Sequence, residues 1–372
     1  MKFTIGERDG ATRARTGTLE TPHGSVETPV FMPVGTKATV KTLAPDDLHA
    51  AGVEILLGNA YHLSLRPGDE ALERLGGLHK FMAWDRPILT DSGGYQVFSL
   101  ARLRKITDDG VLFRSHIDGA EIFFSPERVL EIQRRLGSDI WMPLDEPSPY
   151  PCERKQAEKA AARTKKWWDR CRQPEDGRGL FGIVQGSTHA DLRKQCVEQI
   201  AGDDPPGFSI GGLSMGEPAE TLHEITDLTA ALLPESKPRY LMGAGTPVDI
   251  VRAVMSGVDM FDCILPTRFG RTGWAYTSGG IVKIRNKAHA FDERPLDPAC
   301  SCPCCRQFSR AYLRHCFKMN EILGLRMLTL HNVHFYMELM RRVRRGIREG
   351  TLEKLLKEME KIGPPLAGRQ KT

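Results

Sequence analysis

An α/β barrel of eight parallel strands, with β insertions and an appended helical C-terminal piece, is the fold class this sequence predicts. Three observations carry it. Eight β-like runs follow one another: Val30–Val34, Ile55–Asn59, Pro87–Asp91, Ile140–Asp145, Leu180–Gln185, Phe208–Gly212, Tyr240–Gly243 and Met260–Ile264. Their apolar residues give way at or near the tip to a polar side chain or glycine, as in a parallel barrel whose site lies at the carboxyl ends of its strands. Helix-like segments follow most runs, and 372 residues accommodate one barrel of about 250 residues with insertions.

The elements read in order as follows. Residues 1–29, with TGTLETPHGSVETP, form an N-terminal β-meander that covers the barrel bottom. Helices are expected at Pro45–Ala51, Gly68–Leu75, Ser125–Leu136, Cys152–Arg172, His189–Ile200, Pro218–Leu233 and Pro247–Ser256. Ser125-Pro126 and Thr246-Pro247 each place a capping hydroxyl before a proline at the first helical position. ITDDGVLFRSHIDGAEIFFSP alternates around Asp-Gly turns and predicts a small antiparallel insertion. TGWAYTSGGIVKIRN predicts a hairpin on a Ser-Gly-Gly turn. A cysteine cluster follows, then a long helical region to Glu360 and the polar tail PPLAGRQKT. The expected division is 1–285 for the barrel and 286–372 for the C-terminal subdomain.

Hydrophobic residues make up 40% and charged residues 27%, which is ordinary for a globular chain. No run approaches the roughly 18 apolar residues of a membrane helix. The start, MKFTIGERDGATRARTG, lacks an apolar signal core, so a cytoplasmic location is expected. The net charge of +5 permits a polyanionic partner without requiring one. Arg268 and Arg271 follow the last strand in a basic loop. Arg341, Arg342, Arg344, Arg345 and Arg348 crowd one late helix, where a solvated face is the plain reading.

Four of nine cysteines fall within six residues: Cys300, Cys302, Cys304 and Cys305. Such density points to metal rather than disulfides in a cytoplasmic chain. Cys300, Cys302 and Cys305 offer three thiolates at ligand spacing. His331 is the leading fourth ligand, with His334 and Cys304 as competitors. Three cysteines and a histidine make a closed structural zinc site. The remaining cysteines read as ordinary thiols.

Asp91, Asp145 and Asp262 converge on one face in such a barrel. Crowded carboxylates cost stability, which points to chemistry. Two of them can divide a glycosyl transfer, one attacking the anomeric carbon and the other handling the leaving group's proton. The third can accept hydrogen bonds from a nucleobase. Gln185 can donate to a carbonyl, and Gly211-Gly212 can present bare N–H groups, a set that suits the edge of guanine. After Asp91, the residues Ser92, Gly93 and Gly94 let backbone approach a ligand, and Tyr95 offers an aromatic face.

DSGGYQ (91–96), FGIVQG (181–186), IGGLSMGE (210–217), YLMGAG (240–245), MFDCILPTRFGR (260–271) and CSCPCC with His331 together resemble the bacterial tRNA-guanine transglycosylase (queuine tRNA-ribosyltransferase) family, in order along nearly the whole chain. The resemblance implies a zinc-containing TIM barrel, a pentosyltransferase and a homodimer. It implies exchange of the wobble guanine in tRNAs with a G-U-N anticodon (Asp, Asn, His, Tyr) for 7-aminomethyl-7-deazaguanine, a queuosine precursor. It also implies Asp262 as nucleophile and Asp91 as general acid/base. Asp145, Gln185 and Gly212 would read the base with the Leu213 carbonyl, beside Ser92, Gly93 and Gly94. Tyr95 and Met242 would sandwich the ring. Gly243, Ala244, Gly245, Thr246, Pro247, Val248 and Asp249, with Thr267, Arg268, Phe269, Gly270 and Arg271, would contact RNA. One structural Zn2+ per subunit would sit on Cys300, Cys302, Cys305 and His331. Pro147 stands where the family often has cysteine, and Met215 where it often has a smaller residue. Both bear on the incoming base, with queuine as the alternative.

Two other readings compete. A non-catalytic zinc-stabilised RNA-binding subunit is disfavoured because Asp91, Asp145 and Asp262 are all kept. A barrel glycosidase or metal hydrolase acting on small molecules is disfavoured by the basic Arg268/Arg271 segment and by the absence of a His-x-His pair.

Overall fold

Strands covered on both faces read as continuous apolar runs, and the eight runs form one ring in the computed structural model, which describes residues 1–100, 104–172 and 179–363. The expected tail PPLAGRQKT lies outside the described residues. The hydrogen-bonded order is Gly179–Leu180, Ile140–Trp141, Ile88–Asp91, Leu56–Asn59, Val30–Gly35, Met260–Cys263, Arg239–Leu241, Phe208–Ile210 and Gly182–Val184. Every neighbouring pair is parallel. The first and last members are two pieces of the fifth run. Phe181 N–H donates to Trp141 O (3.0 Å), and Gly182 N–H donates to Gly207 O (3.0 Å). One strand thus turns from one neighbour to the other and closes an eight-membered TIM-type barrel. The fourth run is shorter than expected, with only Ile140–Trp141 in ladder pairing.

Inward side chains including Val30, Met32, Leu57, Leu89, Met142, Ile183 and Met260 fill the ring. A second, larger core lies largely outside it, among the surrounding helices. The meander strands Lys2–Arg8, Arg15–Thr21 and Gly24–Thr28 are antiparallel, and their Leu19 and Val26 join the inner core from below. Two polar contacts pin this cap. Arg15 and Asp259 form a buried pair at 2.8 Å. His23 Nδ1 lies 2.7 Å from Asp139 Oδ1 and its ring stacks on His79. His23, His79 and Asp139 group closely enough to suggest a cation site. However, Asp139 already receives the His23 and Ile88 backbone N–H groups besides both rings, which fills its acceptor positions.

The expected insertion is a three-stranded antiparallel sheet, Arg104–Thr107, Gly110–Arg114 and Glu121–Phe124. The expected hairpin pairs Trp274–Thr277 with Gly280–Lys283. Three local expectations need correction. The single helix expected at Gly68–Leu75 is one of three short helices, Ala60–Leu65, Asp69–Arg74 and Gly77–Met82. Gly68 and Gly76 have positive φ there (104° and 90°) and break the run. The basic segment holding Arg268 and Arg271 is the helix Leu265–Thr272, not a loop. Pro266 occupies its first turn and Gly273 ends it in the left-handed region. The late arginine run is only partly solvated: Arg344 is buried and donates to Pro29 O (3.0 Å), with Glu54 nearby.

Candidate active site

Ring closure brings the three strand-tip aspartates to one mouth. Asp91 and Asp262 end strands separated by two others in the ring, and both keep partial exposure while lying deep among protein atoms. Asn59 Nδ2 donates to Asp91 Oδ2 at 2.6 Å, and Gly93 N–H donates to Oδ1 at 3.1 Å. Tyr240 Oη–H and Gly243 N–H both donate to Asp262 Oδ1, at 2.6 and 2.7 Å. Asp262 Oδ2 has no hydrogen bond among the described residues. Gln96, whose amide the sequence offers beside Asp91, lies 3.4 Å from it, whereas Asn59 and Tyr240 were not singled out as site residues. They stood only as the end of the run Ile55–Asn59 and the start of the run Tyr240–Gly243.

Burial pushes the Asp91 carboxyl up to about 8, and the nearby Asp262 charge adds to it. Burial also raises Asp262, against the donors Tyr240 and Gly243. Burial thus favours the neutral form of both carboxyls, and Asp91 carries the added push of the Asp262 charge. Asp145 is pushed up to about 6 by burial, opposed by its donors, so it is mostly ionised at pH 7.

The other expected base readers cluster around Asp145. Gln185 Nε2 donates to Asp145 Oδ2 (2.8 Å), and Ser92 Oγ lies 3.4 Å from Oδ1. Gln185 Oε1 is buried without a partner. A Cβ on Gly94 would meet Asp145 Oδ1 at 2.6 Å, and one on Gly212 would meet Gln185 Oε1 at 2.3 Å. These glycines are required by close approach, not by flexibility alone. Leu213 is buried, Met242 is partly buried, and Tyr95 stands 50% exposed at the rim. Glu217, passed over in the sequence, is buried and accepts from the Ser214 and Met215 backbone N–H groups.

The segments expected at RNA are more buried than a loop reading implies. Ala244, Val248, Asp249, Thr267 and Phe269 are buried, as are Gly245, Pro247 and Gly270. Gly243 is exposed, and Thr246, Arg268 and Arg271 are half-buried. Asp249 completes a capping box with Thr246. Arg271 Nη1 is buried with no hydrogen-bond partner. Lys41 is held below its ordinary range by burial, then by Arg271 and Lys37. Burial and then Arg268 lower Arg271 likewise. Lys37, Lys41, Arg268 and Arg271 thus crowd one rim, and among the described residues none has an ion-pair partner. Only the fold unites the two lysines with the two arginines.

Cys300, Cys302, Cys305 and His331 present ligand atoms within 4.8 Å of one another and can hold a metal ion. His331 Nδ1 faces Cys302 and Cys305 at 3.5 and 3.3 Å, while Nε2 lies 2.6 Å from Tyr276 O. A proton on Nε2 frees the Nδ1 lone pair for a metal. His334 approaches only Cys300 (3.6 Å), and Cys304 stands outside the group.

Comparison with known proteins agrees with this geometry. The family model described as queuine tRNA-ribosyltransferase matches residues 9–364. A queuine tRNA-ribosyltransferase from Pelotomaculum thermopropionicum is 54% identical over 95% of this chain and 96% of its own length. One from Thermoanaerobacter pseudethanolicus is 54% identical over 97% of both chains, and one from Moorella thermoacetica 51% identical over 95% of this chain and 96% of its own. With a closed barrel, three aspartates at its mouth and relatives aligned nearly end to end, the chain belongs to the queuine tRNA-ribosyltransferase family.

Proposed function

We propose that the protein is a tRNA-guanine transglycosylase. It exchanges the wobble guanine of G-U-N tRNAs (Asp, Asn, His, Tyr) for 7-aminomethyl-7-deazaguanine. The observation that carries this is the geometry of two carboxylates at one mouth, Asp262 held through one oxygen by Tyr240 and Gly243 and Asp91 held by Asn59 and Gly93. Asp262 Oδ2 attacks the ribose C1′, and the C1′–N9 bond breaks. Guanine leaves with the Asp91 proton at N9, and a covalent aspartyl-ribose ester remains. The incoming base then loses its N9 proton to Asp91 and attacks C1′, freeing Asp262. Two displacements retain the configuration. Tyr240 and Gly243 orient the nucleophile through its other oxygen and disperse the charge that returns to it.

Ionised Asp145 accepts from the pyrimidine-edge N–H groups of the base, and Gln185 and the Gly212 N–H face its carbonyl. The ring lies between Tyr95 and Met242, with Ser92, Gly93, Gly94 and Leu213 lining the pocket. Lys37, Lys41, Arg268 and Arg271 attract phosphates as the target base flips into the mouth. Direct RNA contact along 243–249 then comes chiefly from Gly243 and Thr246. Met215, bulky and half-buried, and the buried Pro147 favour the aminomethyl base over queuine.

One Zn2+ per subunit fits Cys300, Cys302, Cys305 and His331, where three thiolates and an imidazole make a closed site. When bound it would cross-link the C-terminal subdomain and supply no step of the reaction. A boundary near residue 285, a homodimer and a cytoplasmic location belong to the same reading. Labelled-guanine exchange into a G-U-N tRNA tests the activity, followed by competition between queuine and the aminomethyl base. No label uptake sinks the reading, and preferred uptake of queuine replaces only the incoming base.

A further inference from the structure

Arg193 is fully buried in the helix Ala190–Ala201, yet it forms no ion pair among the described residues. Burial lowers its guanidinium to about 10, so it stays charged at neutral pH. Its fork is spent on three backbone carbonyls. Nε donates to Ser187 O at 2.8 Å, Nη1 to Val184 O at 3.3 Å and Nη2 to Gly211 O at 2.9 Å. Those carbonyls flank Gln185 and Gly212. One turn further along the same helix, Cys196 Sγ accepts the Gln185 N–H at 3.3 Å.

A trans peptide points its C=O and its N–H in opposite directions. Gly211–Gly212 is not among the cis bonds. With the Gly211 carbonyl drawn toward Arg193, the N–H of Gly212 must face the other way. The head of Gln185 packs against the same two glycines: an added Cβ would fall 3.0 Å from its Nε2 at Gly211 and 2.3 Å from its Oε1 at Gly212, and Oε1 takes no hydrogen bond. Gly212 also has φ +65°, where glycine is the residue that rests without strain. Left alone, two consecutive glycines would sample many peptide orientations.

We propose that Arg193 is a positioning residue for base recognition: by holding the Gly211 carbonyl it aims the Gly212 N–H into the mouth beside Gln185. It never touches the base. This rests on the reading of Gln185 and Gly212 as the groups that face the base carbonyl. A charged fork suits the task because guanidinium is planar and can hold several carbonyls at fixed angles. Glu217 is near enough to favour its charge but does not pair with it, so the carbonyls are its hydrogen-bond acceptors among the described residues.

The test compares guanine with 2-aminopurine, which keeps the amino group but lacks the carbonyl oxygen and the N1–H; the Asp145 share of the preference is common to wild type and variant, so a change in the preference reads the carbonyl side. Guanine KM and the 2-aminopurine inhibition constant are measured in the exchange assay for wild type and Arg193→Met. Wild type should favour guanine tenfold or more, and Arg193→Met should shrink that preference at least threefold while KM for tRNA stays within twofold. If both bases weaken together and the preference survives, Arg193 only supports the fold and the proposal is overturned. If wild type itself shows no preference, the base-reading assignment fails first. Should Arg193→Met not fold, Arg193→Lys gives the same readout, because one ammonium cannot hold three carbonyls of this spacing. An undiminished preference in a folded Arg193→Lys enzyme overturns the proposal, and failure of both to fold assigns Arg193 to the fold alone.

Discussion

Asp91 and Asp262 sit on strands with two others between them, so their mutual effect on protonation exists only in the closed ring. Replacing the proposed nucleophile with its neutral isostere, Asp262→Asn, should abolish exchange and leave tRNA binding within about twofold. Turnover at the parent rate would remove the assignment. In the proposed role of acid, Asp91 must be protonated to act, and its folded value is raised to about 8. The proton is therefore present at neutral pH and is lost as pH rises through 8, so kcat/KM should fall on that limb. Asp145 has the opposite requirement. It must be ionised to accept, and with its value near 6, guanine KM should rise as pH falls through 6. A flat guanine KM between pH 5 and 8 would contradict its role. The three aspartates were legible because a carboxylate at the tip of an apolar strand is conspicuous. Asn59 and Tyr240 were not, because an amide and an aromatic at such places have ordinary structural explanations.

Helices announced by local chemistry were legible with their boundaries nearly right. Ser125 Oγ accepts from Arg128 N–H (3.1 Å), and Thr246 Oγ accepts from Asp249 N–H (3.2 Å), as Ser-Pro and Thr-Pro foretold. Two of the missed helices lack such signals, although Ala60–Leu65 has one in Asn59, whose Oδ1 accepts from His62 N–H (3.1 Å). Gly77–Met82 begins between glycines, and Leu265–Thr272 opens with a proline that also reads as a break. The latter depends on tertiary contact. A Cβ on Gly270 would fall 2.5 Å from Thr329 Cα and 2.6 Å from its backbone nitrogen, atoms that cannot swing aside. Gly270→Ala should destabilise the protein by about 1–3 kcal/mol, the usual cost of overpacking, as read by urea unfolding. It should also weaken tRNA binding, because Arg268 and Arg271 ride on that helix. An unchanged midpoint would mean the two helices separate freely.

On the scale of the whole molecule, the barrel was predictable and the joining of its parts was not. The helix Ile322–Glu349 carries His331 of the metal cluster, and its next residue, Asn332, donates to Pro266 O and Trp274 O (3.0 Å each). Further along, Tyr336 Oη–H donates to Gly245 O at 2.6 Å. Cys302→Ala should lose metal and lower the melting temperature, because metal binding and folding are coupled. Full metal in His331→Ala would instead point to His334 or Cys304. The same helix therefore braces the cysteine cluster at one place and both rim segments at others. Such an arrangement obeys reciprocity: whatever factor metal adds to tRNA affinity, tRNA must add to metal affinity. With metal bracing the rim that meets tRNA, the coupling should be favourable, so at equilibrium a chelator should strip the free protein at a lower concentration than the tRNA complex, making substrate a guardian of an ion that it never meets.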